Sequence, residues 1–335
     1  MISIVIPVYN AEDYLAARLE HLLQHDLGNV QIIVIDDGST DNSYEICRRH
    51  LGGHANSLII KQENQGLSIA RNRGIEASVC EYIVFLDSDD ILFKDGFTKM
   101  KAYLSVEKPD VLMGKYVIMQ EKGRNIWPTY SFPTINSAAE ARKYIYSEIL
   151  DSVWHAWRYV CRRDFLLRHD LFFTPGIICE DMEWSPRVLR AADSIAFLDD
   201  PFYGYYYNRR GSITRNALAV RVADVNAIVA CSVQKYIAED YGKTLAYRLI
   251  RESFYSLSRY CLCKKVERKK LRPVIEDAIG FYHYSSSAMI QLFLRTRGFP
   301  CYLYLWSAAL WTAKTARGLF KIILGPLSVK RQAIK

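Results

Sequence analysis

Residues 1–90 alternate uninterrupted apolar runs with stretches whose apolar positions recur at helical spacing. Ile2–Pro7 is a β-branched run ending in Pro7-Val8-Tyr9-Asn10. Glu12–His25 then places Tyr14, Leu15, Leu19, Leu22 and Leu23 on one helical face. Gln31–Asp36 is a second run, closed by the turn-rich Asp36-Asp37-Gly38-Ser39-Thr40-Asp41. A helix is predicted from Asn42 to His50, with Asp41 or Ser39 as its cap. A third strand, Leu58–Lys61, precedes a helix over Leu67–Ser78, and a fourth, Tyr82–Leu86, stops at Asp87-Ser88-Asp89-Asp90. Strands that are apolar throughout and separated by helices predict an α/β fold with a mostly parallel sheet covered on both faces. Ligands of such sheets bind beyond the carboxyl ends of the strands. The first, second and fourth runs all end there in polar, mostly acidic clusters.

The pattern beyond residue 90 is less regular. Asp110–Met119 reads as a strand, Ala138–Ile149 as a helix, and Ile195–Leu198 and Phe202–Tyr207 as two further strands. From residue 217 the spacing is helical with few turn signals, over Val220–Tyr241 and Thr244–Cys263. A basic knot, KKVERKKLR at 264–272, separates these from a terminal aromatic segment, and no internal repeat is present. The change of pattern divides the chain into 1–216 and a mainly helical 217–335.

Composition narrows the class. Half of the 335 residues are hydrophobic and ten are proline, which excludes disordered, collagenous and low-complexity chains. The net charge of +8 conceals an asymmetry: residues 1–216 carry 24 Lys/Arg against 29 Asp/Glu, and residues 217–335 carry 20 against 7. The N-terminal MISIVIPVYN lacks a basic n-region and a cleavage site, and reads as a first strand rather than a signal peptide. Eight cysteines without a CxxC or His-spaced pair read as reduced thiols in a cytosolic protein. The longest uncharged stretch of the tail, Gly298 to Ala313, has 16 residues and a proline, short of the roughly 20 that a spanning helix needs.

Three clusters carry candidate chemistry. Asp87 and Asp89, at i and i+2 of an extended segment, point the same way, with Asp90 adjacent. Clustered carboxylates suit a hard divalent cation shared with phosphates, Mg²⁺ or Mn²⁺; a solvated acidic turn capping a helix is the plainer alternative. Asp36-Asp37-Gly38-Ser39 can accept hydrogen bonds from a base or ribose, or can simply make a βα turn. Arg71, within Gly66–Gly74, sits on a helix where it either grips a base or phosphate or lies solvated. Trp157 and Trp184 either stack on a sugar or fill the core, and His155 reads as structural.

Pro7-Val8-Tyr9-Asn10, Asp36–Asp41, Gly66–Gly74 and Asp87–Asp90 together resemble the family 2 glycosyltransferases in order and spacing. These are inverting, nucleotide-sugar-dependent enzymes of the GT-A fold. The resemblance continues through Ala156-Trp157-Arg158, Cys179–Trp184 and Tyr205–Thr214, covering roughly 1–216. It implies a Rossmann-like catalytic domain, with nucleotide-sugar binding in 1–95 and the acceptor side in 96–216. It further implies that Pro7, Tyr9, Asn10 and Glu12 line the nucleotide pocket with Ser39. Asp37 would bond the base and Arg71 flank it, Asp87 and Ser88 would lie near the ribose, and Asp89 with Asp87 would hold the metal. The general base would come from Glu180-Asp181, Asp181 before Glu180. Arg209 or Arg210 would clamp the diphosphate, or be solvated in a turn. Some members carry a metal-binding His in that region, and this sequence has none there.

The tail interleaves Phe, Tyr, Trp and Leu with Arg295, Arg297, Lys314, Arg317 and Lys321. That pattern suits an anionic membrane surface contacted by residues 295–335, and the family's lipid-linked acceptors make attachment at the inner face of the cytoplasmic membrane sensible. A helical domain packed on the catalytic one, or a homo-oligomer contact, is the alternative. The aliphatic content argues against nucleic acid. A nucleotidyltransferase that makes the activated sugar would carry a Gly-rich basic loop where this chain reads PVYNAEDYL, and a non-catalytic glycan-binding subunit would not require the acidic pairs.

Overall fold

A computed structural model describes residues 1–120, 124–149 and 153–206, with Glu239, Tyr241 and Leu245, all within one compact unit. The chain begins with β1 (Ile2–Val8), α1 (Glu12–Leu23), β2 (Val30–Asp37), α2 (Ser43–Leu51), β3 (Ser57–Gln62), α3 (Leu67–Ala77) and β4 (Tyr82–Phe85). Each predicted boundary in this stretch falls within two residues of the observed one. Then follow β5 (Ile91–Leu92), α4 (Lys94–Glu107), β6 (Val111–Met119), α5 (Ala138–Ser147), a 3₁₀ turn (Ala156–Arg158), β7 (Tyr159–Arg162), α6 (Arg163–Arg168), α7 (Glu180–Ala191) and β8 (Ile195–Tyr206).

One eight-stranded sheet runs in the order β3-β2-β1-β4-β7-β6-β8-β5. The first four strands are mutually parallel. β7 is antiparallel to both β4 and β6, β8 is parallel to β6, and β5 pairs antiparallel with β8 at the edge. The mostly parallel α/β sheet is therefore as predicted. The two strands predicted over 195–207 are instead one, β8, lying along β6 from Val111–Ile195 to Met119–Tyr206. Register shifts around Lys115 absorb the polar Asp199-Asp200 within the strand, and Asp199 pairs with the Lys115 ammonium at 2.7 Å.

β1 is buried at every position because β2 and β4 flank it and helices cover both faces. α1 contributes Leu15, Leu19 and Leu22, each side chain stabilising by about 1.5–3 kcal/mol. α3 approaches β1 through Gly74, where a Cβ would stand 2.1 Å from Val5 Cγ1. In the second half the core is aromatic. Trp184 is fully buried, stacked on Phe173 at 4.5 Å and meeting Phe85 edge-on, and Trp157 is 2% exposed. Both tryptophans belong to the core, not to an open sugar platform. Ser137 caps α5 by accepting from the Glu140 N–H. The predicted helices over 220–241 and 244–263 and the segment 295–335 lie outside the described residues, apart from Glu239, Tyr241 and Leu245. Of these, Tyr241 stacks on Tyr146 and Glu239 accepts from Arg190. Cys47, Cys80, Cys161 and Cys179 form no disulfide, and burial pushes the Cys47 thiol up to about 12. The other four cysteines lie outside the described residues. No described helix is long and apolar enough to cross a membrane.

Candidate active site at the carboxyl edge of the parallel strands

The chain leaves β1 at Tyr9, which is 47% exposed, and turns at Asn10, whose φ of 48° is a left-handed conformation that Asn tolerates. The β1–α1 and β2–α2 loops are laced together there. Asn10 N–H donates to Ser39 Oγ and Asn10 Oδ1 accepts from Thr40 N–H at 2.8 Å. Glu12 N–H donates to Asp41, and the Glu12 carboxylate accepts from Asn42 N–H and Nδ2. Asp41 also accepts from Ser43 N–H at the start of α2, whereas Ser39 turns to Asn10. Asn10, Glu12 and Ser39 thus hold the two loops in one geometry. Pro7 is buried inside β1 behind them.

Asp37 is 4% exposed and accepts three donors from the β3–α3 connection: Gln62 Nε2 at 2.7 Å and the N–H groups of Gln65 and Gly66 at 2.8 Å. Its carboxylate fixes that connection, which leaves less of it for a base than the resemblance implies. Gly38 turns with φ 73° against Asn64, whose backbone nitrogen would lie 2.7 Å from any Cβ, so only glycine fits. Asp36 faces the opposite side of the sheet, fully buried, and neither carboxylate oxygen has a hydrogen-bond partner.

Arg71 overturns the solvated reading, because it is 3% exposed. Its Nη2 donates to Asp87 Oδ1 at 2.8 Å and its Nη1 to Glu180 Oε1, and the guanidinium faces Phe173 at 5.3 Å. It bridges the acidic loop after β4 to the first residue of α7. Three carboxylates surround this one cation, counting Asp181, and burial outweighs its help at Glu180. Glu180 is pushed up to about 7 by desolvation, opposed by Arg71 and reinforced by Asp181 and Asp87. Ser88 and Asp89 are half-buried, and the Asp89 carbonyl accepts from Arg18 Nε at 2.9 Å. Arg18 also lies over the Tyr206 ring at 3.9 Å. Asp90 is buried and raised well above the usual carboxylate range by burial and by Asp89 and Asp87. It accepts from Tyr203 Oη at 2.8 Å, and the same hydroxyl accepts from Asp87 N–H.

Asp181 is half-buried in the first turn of α7, which the chain enters through Cys179 at φ 69°, a strained position for a residue with a Cβ. A carboxylate there is favoured by the helix N-terminus. His155 Nδ1 stands 3.3 Å from Asp181 Oδ2. Beside β6 a pocket of about 330 Å³ is lined by Tyr116, Trp127, Tyr130, Tyr144 and Glu148, among others. Tyr116 meets Trp157 edge-on at 4.9 Å, and Trp127, 56% exposed, stacks on Phe93.

The structure therefore brings Arg71, Asp87, Glu180 and Asp181 into one cluster, links Asn10, Glu12 and Ser39 across the β1–α1 and β2–α2 loops, and bonds Asp37 to the β3–α3 connection. Arg209 and Arg210 lie outside the described residues. Sequence reasoning passed over Arg18, Gln62 and Tyr203 and read His155 as structural. The alternation of Tyr203 and Tyr205 along a strand was a legible sign of a ring-bearing face, whereas nothing in the sequence pairs His155 with Asp181. Among the described residues no three His, Cys, Asp or Glu side chains converge on a metal position. Asp87 and Asp89 supply hard oxygen donors, one of them already engaged by Arg71. That set fits a Mg²⁺ or Mn²⁺ ion completed by diphosphate oxygens and water, rather than one enclosed by protein.

The strand order reverses between β1 and β4, and open α/β sheets of this kind, the GT-A fold among them, bind ligands beyond the carboxyl ends of the strands at such a point. The solved structure of S. aureus TarS 1–349 with UDP-GlcNAc shares that fold at a TM-score of 0.67, covering 92% of this chain and 87% of that one at 20% identity. The family model for glycosyl transferase family 2 matches residues 3–172, just over half of the chain, and the chain belongs to that family. EpsJ of Bacillus subtilis, an uncharacterized glycosyltransferase, is 29% identical over 62% of this chain, a match spanning 61% of EpsJ and so less than two thirds of its length. The glycosyltransferase GlyG of Streptococcus pneumoniae is 31% identical over 64% of this chain and 73% of its own.

Proposed function

We propose that the protein is an inverting glycosyltransferase that moves a sugar from a nucleoside-diphosphate sugar, with UDP as carrier, to a hydroxyl of a glycan or lipid-linked acceptor in bacterial surface-polysaccharide assembly. One observation supports this reading: Arg71 ties Asp87, in the loop after β4, to Glu180, the neighbour of Asp181, across 109 residues of chain. The UDP-GlcNAc held by TarS supports the choice of carrier. Asp181 takes the acceptor proton as the acceptor oxygen bonds the anomeric carbon, and the bond to the diphosphate breaks on the opposite face. That proton transfer is worth about 10²–10⁴-fold. Glu180, buried and engaged with Arg71, positions the cluster instead. Tyr9 offers its exposed ring to the base, and the aromatic pocket with Glu148 suits a further sugar of the acceptor. Mg²⁺ or Mn²⁺, held by Asp89 with Asp87, would neutralise the charge that develops on the leaving diphosphate.

Release of nucleoside diphosphate from a panel of nucleotide sugars with Mn²⁺ tests the reading. Turnover is expected, and it should disappear in Asp89→Ala and Asp181→Ala. Pyrophosphate as the product would mark a nucleotidyltransferase, and tight glycan binding without turnover a binding subunit. The reading also holds the protein peripherally at the inner face of the cytoplasmic membrane through residues 295–335. Co-sedimentation with anionic liposomes should be lost when that segment is removed. If the full chain stays in the supernatant, the segment serves a protein or homo-oligomer contact.

A further inference from the structure

We propose that His155 is the positioning residue of the Asp181 carboxylate; this rests on Asp181 as the proton acceptor. The first turn of α7 carries Glu180, Asp181 and Glu183 together, so a carboxylate there needs a donor to settle in one orientation. His155 Nδ1 faces Asp181 Oδ2 at 3.3 Å. An ionised carboxylate opposite Nδ1 selects the tautomer, or the imidazolium, that carries hydrogen on Nδ1.

The imidazole is itself held. It stacks on Trp157 at 4.7 Å between centroids with 13° between planes, and Tyr205 leans on it at 5.6 Å. Trp157 in turn lies parallel to Tyr203, at 4.3 Å and 5°. Tyr203 donates to Asp90 and accepts from the Asp87 N–H. A ladder of three stacked rings thus runs from the acidic loop after β4 to the base, and its last ring meets the carboxylate through Nδ1. His155 therefore fixes where Asp181 stands relative to the donor-side loop.

The test uses the full chain, its turned-over nucleotide sugar from the panel above with Mn²⁺, and three variants. His155→Phe keeps a ring for the stack and removes the donor, His155→Gln keeps a donor, and Asp181→Asn removes the base. Expected for His155→Phe is a kcat lower by about 10–100-fold, an unchanged KM for the donor and an acid limb moved to higher pH, with His155→Gln recovering most of the loss. If His155→Phe keeps the parent kcat and pH profile while Asp181→Asn is inactive, the proposal fails and the base assignment stands. If His155→Gln and His155→Phe are both as inactive as Asp181→Asn, the imidazole carries the proton itself and the positioning role is wrong. If Asp181→Asn turns over like the parent, the base assignment fails instead. Imidazole ¹⁵N shifts give a readout independent of turnover. Hydrogen on Nδ1 of His155 in the parent, altered in Asp181→Asn, is expected, and an Nε2–H tautomer insensitive to Asp181 overturns the contact.

Discussion

On the parallel side of the sheet, Asn10, Glu12, Ser39 and Asp41 bond one another across two neighbouring loops. On the mixed side, His155, Trp157, Tyr203 and Tyr205 stack ring on ring. The first arrangement is made of directional bonds between loops that adjacent parallel strands already bring together. The second is made of apolar faces, and it sets only a few polar atoms at its ends. Hydrogen-bonded loops hold a pocket's shape, while a packed ladder holds the distance between two loops far apart in sequence. Arg71 is where the two systems meet, since its partners Asp87 and Glu180 belong one to each side.

Breaking that junction should have the largest effect. Arg71→Met leaves Asp87 and Glu180 without their cation and is expected to cost about 3–5 kcal/mol in urea unfolding. A smaller loss would mean that the two sides hold together by their rings alone. Next comes the pH dependence. The Glu180 pKa of about 7 lies above the ordinary carboxylate value, so the fold favours the protonated form. Its contribution is complete below the unfolded pKa and fades as pH rises through about 7. Between pH 5 and 8 the parent should lose on the order of 2 kcal/mol that Glu180→Gln does not lose. Equal slopes for the two proteins would place no proton on Glu180.

Tyr203→Phe keeps the stack but strips the hydroxyl from Asp90 and from the Asp87 N–H, for about 1–3 kcal/mol in thermal unfolding. If the cost is instead negligible, the ladder positions by packing alone. Asn10→Ala should be the mildest, about 1 kcal/mol, from a lost bond to Thr40 and a left-handed turn forced on alanine. Asn10→Gly should recover part of that by relieving the backbone, and if it costs more than alanine, the side-chain bond matters more than the turn.

The parallel half was legible because its strands and helices alternate locally, each with its own period, and its polar residues sit at the strand ends. The second half hid its elements for opposite reasons. β5, β7 and α6 are too short to show a period, and the apolar pattern of β8 is interrupted by Asp199-Asp200, which a bulge accommodates. Among site residues, Asp87 and the Glu180-Asp181 pair were visible as acidic clusters. The burial of Arg71 was not, because a helix-face arginine has the same sequence signature whether or not carboxylates wait opposite it. His155 read as structural, with no sign of its carboxylate partner.

The sequence by itself determined the parallel α/β sheet, the carboxyl-edge location of the acidic clusters and the family, since each depends on residues within one strand, turn or helix of one another. Only the tertiary structure decided that Arg71 is a buried bridge, that Trp157 is a rung of a ladder rather than a sugar platform, and that His155 meets Asp181. Those facts depend on which side chains face each other across strands β4, β7, β6 and β8, and hydrophobic periodicity records that a face is buried without recording what it is buried against.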